Sequence, residues 1–73
     1  MSGTVRIRQA QQAYDRAVTR NEHLGRRLDN AQKALKAGKI TQAQAEIAWN
    51  DFGDSVDAMD AAKAVLDRAK RDR

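Results

Sequence analysis

The side chains best suited to chemistry in this chain are its one histidine and a run of four aspartates spaced three residues apart. His23 is a candidate general acid or base, although no nucleophile stands beside it and no glycine-rich phosphate loop occurs. The aspartates are Asp51, Asp54, Asp57 and Asp60. A helix presents carboxylates at this spacing in diverging directions, not toward one cation. The sequence therefore predicts no catalytic residue, no metal site, no cofactor and no small-molecule substrate.

Basic side chains near the two ends of the chain form a second candidate site. The chain has 14 basic and 10 acidic residues, a modest excess that leaves nucleic acid open as a partner. If the two ends meet, they form a cationic tip that holds phosphates without regard to base sequence. The candidate phosphate contacts are Arg6, Arg8, Arg68, Lys70, Arg71 and Arg73. The alternative interpretation is a solvated, fraying helix end.

Two sets of residues spaced alternately by three and four positions indicate the elements that would carry these side chains. The first set is Ile7, Ala10, Tyr14, Ala17, Asn21, Leu24, Leu28, Ala31 and Leu35, and the second is Ala45, Ala48, Phe52, Ser55, Met59, Ala62, Leu66 and Ala69. This spacing is typical of paired helices, and the chain contains no proline. We predict an all-α fold, an antiparallel two-helix hairpin of the alanine-rich coiled-coil type. It would form a single domain over residues 1–73, with helix 1 over about 4–37, a turn at 38–40 and helix 2 over about 41–70.

Residues around Gly38 predict where the chain turns back and in which register. Gly38 suits the left-handed residue that ends many helices, and Thr41 with Gln44 fits a capping box at the start of the next. A turn at Gly38 places side by side the positions whose numbers sum to 76, which pairs Asn21 with Ser55 in one polar layer. We interpret this layer as register-setting; a functional polar pocket is the alternative.

One flank of the predicted hairpin carries apolar residues that the pairing of two helices does not require. Val18, Gly25, Trp49 and Val56 fall on this flank, and Trp49 is the only tryptophan in the chain. A tryptophan on an exposed rim is typical of an interface anchor. We predict a partner interface here, most simply with a second copy in a dimeric four-helix bundle. Partial burial against its own hairpin is the alternative.

These features favour a non-enzymatic helical-hairpin interaction module, a small structural, assembly or adaptor component of a bacterium or phage. Its expected partners are itself, as a homodimer, or another helical protein. One alternative is a nucleic-acid-binding accessory or regulatory protein, and another is a small inhibitor that docks on a host enzyme. No apolar run exceeds three residues, so no membrane contact is expected. The charged amino end and the absence of cysteine favour a cytoplasmic or virion-associated protein, not one secreted by a signal peptide.

Overall fold

The protein is an antiparallel hairpin of two long helices. The computed structural model describes the backbone of residues 2–72 and the side chains of residues 3–72. Helix α1 spans Ser2–Lys36 and helix α2 spans Gln42–Arg71. The molecule measures 55 × 13 × 11 Å, so it is little more than two helices wide. The predicted all-α hairpin is confirmed, and the helix bounds lie within two residues of the predicted ones.

Backbone hydrogen bonds at the turn explain why α1 ends where it does. Gly38 has φ 72°, in the left-handed region that glycine adopts without a steric penalty. Its N–H donates to the Leu35 carbonyl at 3.1 Å, and the Lys39 N–H donates to the Ala34 carbonyl at 2.9 Å. This pair of bonds is the Schellman motif, which satisfies carbonyls that the helix end would leave free.

The start of α2 has the predicted capping box. The Thr41 hydroxyl accepts from the Gln44 N–H at 3.2 Å, and the Gln44 side-chain carbonyl accepts from the Thr41 N–H at 2.8 Å. Two N–H groups at the beginning of the helix are therefore satisfied locally. The chain reverses direction between two well-defined helix ends, which fixes the register in which the helices meet.

The core is a single line of contact between α1 and α2. At its open end Leu66 is buried against Ala10 and Ala69, with Ile7 and Tyr14 packed against the same cluster. Alanine opposite a large side chain lets the helix axes approach closely. The buried residues are Ala10, Leu24, Leu28, Ala45, Ser55, Leu66 and Ala69. All seven belong to the two sets that the sequence predicts.

Several other members of those sets are less buried than a complete core would make them. Tyr14, Phe52 and Met59 are only half-buried. A pair of helices covers one narrow stripe, so a large side chain in that stripe still reaches solvent at its edges. Leu35 is 37% exposed because its counterpart in the register, Thr41, precedes the first turn of α2.

Candidate functional site

The polar layer lies in the middle of the hairpin and joins the two helices. The Asn21 side-chain N–H donates to the Ser55 hydroxyl at 3.0 Å, and that hydroxyl donates to the Phe52 carbonyl at 2.7 Å. Ser55 is only 2% exposed. The two residues pair in the register whose numbers sum to 76. Within residues 3–72, no buried side-chain polar atom lacks a hydrogen-bond partner.

The predicted interface residues lie on one edge of the hairpin, here called the Trp49 flank (Val18, Gly25, Trp49 and Val56). Val18 and Gly25 lie one turn on either side of the Asn21 layer in α1, and Trp49 and Val56 lie one turn on either side of Phe52 in α2. This helical spacing, with Gly25 against Phe52, places all four on the same edge. Trp49 is 53% exposed, whereas the other three are half-buried.

Gly25, predicted as an interface residue, also lies at the contact between the two helices. In the structure, a Cβ placed on Gly25 would lie 3.3 Å from Cε1 of Phe52, so the absent side chain makes room for the Phe52 ring. Gly25 allows close approach of the two helices of its own hairpin.

Gly53 is the glycine that leaves space beside the tryptophan, and the sequence analysis did not assign it to the flank. It follows Trp49 by one turn and lines the same surface groove, together with Phe52 and Val56. A Cβ built on Gly53 meets no atom within 4 Å. The helical spacing of four residues from Trp49 is the sequence signal that could have identified it.

Carboxylates border the Trp49 flank on both sides, a feature that the sequence analysis also missed. Each lies three or four residues from a flank residue on the same helix, and all of them are exposed. They are Asp15, Glu22 and Asp29 in α1 and Glu46 and Asp60 in α2, here called the acidic rim. In α1 these carboxylates recur every seven residues, which is almost two helical turns and places them on one face of the helix. This interval is the sequence signal that could have identified the acidic rim.

The predicted cationic tip is brought together in part. Arg6 from α1 and Arg68 from α2 line one groove, and Asp72 lines it as well. Arg8, Lys70 and Arg71 are exposed nearby on their helices, and Arg73 lies outside the described residues. Two arginines from different helices therefore share one surface, although a carboxylate reduces its positive charge.

The residues considered for catalysis and metal binding are dispersed over the surface. His23 is exposed and lines an open depression with Asp15, Arg16, Thr19 and Arg20. Asp51 is half-buried, and the other three aspartates of its run are exposed. Within the described residues, no group of three or more His, Cys, Asp or Glu side chains could hold a metal ion. Neither described helix has an apolar stretch long enough to cross a bilayer.

The fold and surface define a small helical hairpin in which the Trp49 flank is partly open to solvent and bordered by acidic residues. No protein-family model, curated protein or solved structure matches the chain.

Proposed function

We propose that this protein is a non-enzymatic interaction module that works by packing its Trp49 flank against a second helical surface. The observation that carries the proposal is the position of Trp49, 53% exposed in a groove with Val56 and Gly53. A tryptophan held on a rigid helix loses little conformational entropy when a partner covers it, and such residues dominate binding energies.

Two arrangements would cover the flank. Two hairpins packed flank to flank would form a four-helix bundle with coiled-coil-like contacts. Alternatively, a different helical protein supplies the covering surface, which would suit an assembly or adaptor role in the cytoplasm or virion of a bacterium or phage. If the protein is instead an inhibitor of a host enzyme, that enzyme would be the different protein that covers the flank.

The test is site-specific photo-crosslinking in the organism that makes the protein. A benzophenone-bearing phenylalanine replaces Gly53, where space is open beside Trp49. The matched control carries the same residue at Ala61, which is exposed more than three helical turns from Trp49 and does not line the groove beside it. We expect a discrete covalent adduct from position 53 that Trp49→Ala removes, and none from position 61.

The mass of the adduct separates the two arrangements. Each chain is 8.1 kDa, so a dimer of two copies would have a mass of 2 × 8.1 = 16.2 kDa, and any other mass indicates a different partner. An adduct that persists undiminished in the Trp49→Ala background contradicts the proposal. So does equal crosslinking from positions 53 and 61.

A second candidate function is binding to the phosphates of a nucleic acid. It is favoured by the groove that Arg6 and Arg68 share at the tip. Arginines from two helices can contact phosphates on one strand. Such binding would be independent of base sequence and would weaken steeply with salt, because each neutralised phosphate releases a counterion.

A gel-shift series over salt tests this candidate. We expect the triple change Arg68→Gln, Lys70→Gln, Arg71→Gln to weaken the shift strongly at low salt and to flatten the salt dependence of the binding that remains. The control is Arg16→Gln, Arg20→Gln, Arg27→Gln, which removes three positive charges from the middle of α1. The candidate is excluded by no shift at low salt, or by equal weakening in both triple variants.

A further inference from the structure

The charges around the Trp49 flank specify what kind of surface covers it. In α1 the charged residues three or four positions from Val18 and Gly25 are all acidic, and in α2 every charged residue between positions 46 and 60 is acidic. The groove beside Trp49 is lined by Asn50, Asp54 and Asp57 as well. A partner that covers the apolar residues must therefore bring its own border close to carboxylates from both helices.

We infer that the occupant of the Trp49 flank is a cationic amphipathic helix of another protein, with an apolar stripe that covers Trp49 and Val56 and with Lys or Arg side chains that face the acidic rim. The inference rests on the proposed function and adds the chemistry of the partner. Opposite charges around an apolar centre favour encounter and select the partner, while the buried aromatic anchor slows dissociation.

A second copy of the hairpin fits this edge poorly. A two-fold dimer uses the same patch on both subunits, so carboxylates would approach carboxylates. The nearest basic residue along the edge of α2 is Lys63, one turn beyond Asp60. Arg26 and Lys33 of α1 lie four residues after Glu22 and Asp29, on the outer face and farther from the flank. They offset part of the negative charge, but they do not reverse its sign.

The dimensions of the flank set the size of the occupant. The acidic rim of α1 extends from Asp15 to Asp29, which is about 21 Å at 1.5 Å per residue. A partner helix of about four turns covers this length. Its apolar residues should recur every three or four positions, the spacing by which helices bind in apolar grooves.

The test uses the purified full chain and synthetic 18-residue helical peptides, each labelled with a fluorophore and free of aromatic residues. One peptide combines a Leu stripe with flanking Lys, the second replaces every Lys with Glu, and the third contains the residues of the first in an order without a stripe. Fluorescence anisotropy of the label measures binding. We expect saturable binding of the first peptide, at least tenfold tighter than that of either other peptide.

Variants locate the binding surface. The change Asp15→Asn, Glu22→Gln, Asp29→Asn should weaken binding of the cationic peptide about tenfold, and Trp49→Ala at least as much. The control Asp51→Asn, Asp72→Asn removes two carboxylates from the opposite edge, outside the groove beside Trp49, and should change binding less than threefold. All changes except that at Asp51 are at exposed positions, and circular dichroism checks that each variant is folded.

Three results would overturn the inference. The Glu peptide could bind as tightly as the Lys peptide, the carboxylate changes on the two edges could weaken binding equally, or the chain alone could form a dimer in physiological salt that Trp49→Ala dissociates. The last result would leave the proposed function intact, because the flank would still be an interface. Failure of the proposed function has a different signature, since crosslinking from position 53 would then not depend on Trp49.

Discussion

Replacing Leu66 with alanine will lower the free energy of unfolding by about 2–5 kcal/mol. Leu66 is 5% exposed and packs against Ala10 and Ala69, with Ile7 and Tyr14 beside the cluster. Alanine already occupies the facing positions, so the smaller side chain would leave a gap that the neighbours cannot fill. A small domain has a free energy of unfolding of only about 5 kcal/mol or somewhat more, so this loss is a large share of it.

Urea denaturation followed by circular dichroism measures the effect. The adjacent Val65, 60% exposed, provides the control: Val65→Ala should leave stability unchanged or raise it by at most about 0.7 kcal/mol through helix propensity. If Leu66→Ala is unfolded in buffer, Leu66→Met keeps the volume and should cost less than about 1.5 kcal/mol. A Leu66→Ala protein as stable as Val65→Ala would contradict the packing described here.

Replacing Ser55 with alanine will also destabilise the hairpin, by about 1–3 kcal/mol, because the Asn21 amide loses its partner at the helix contact. Replacing the other partner of this hydrogen bond, Asn21, should have a different effect. In Asn21→Leu the Ser55 hydroxyl keeps its bond to the Phe52 carbonyl, so no buried polar group is left unpaired. The added apolar side chain should therefore keep stability equal or raise it.

A double-mutant cycle with Ser55→Ala, Asn21→Leu and the combined variant measures this asymmetry. The cost of Ser55→Ala should largely disappear when Asn21 is already leucine, because the group it would leave unpaired is gone. Equal costs in the two backgrounds would mean that the Asn21–Ser55 hydrogen bond contributes nothing measurable.

The register of the hairpin was predictable because it follows from local chemistry. Gly38 and the Thr41 capping box define the turn within a few residues, and the three-and-four spacing then decides which residues meet. The hydrogen bond between Asn21 and Ser55 joins the predicted pair. The degree of burial was not predictable in the same way. Phe52 follows the spacing of a core residue but is half-buried, because burial depends on whether a further layer covers the pair.

The candidate site was less predictable, since it depends on distances across the helix contact. Gly25 and Gly53 look alike in the sequence, but one accommodates the Phe52 ring and the other faces open space. Sequence position alone does not separate these environments. At the tip, Arg6 and Arg68 share a groove, as expected for helices whose ends meet. The same groove includes Asp72, whose charge acts against the expected cationic character.

The two helical glycines also determine where the hairpin is least rigid. Gly25 lies against Phe52, the residue before Gly53, so both glycines occur at nearly the same height along the hairpin. Each weakens its helix by about 1 kcal/mol relative to alanine. Away from the helix ends, we therefore expect local opening to be easiest at this height. A small bend there would change the curvature of the surface that Trp49 presents.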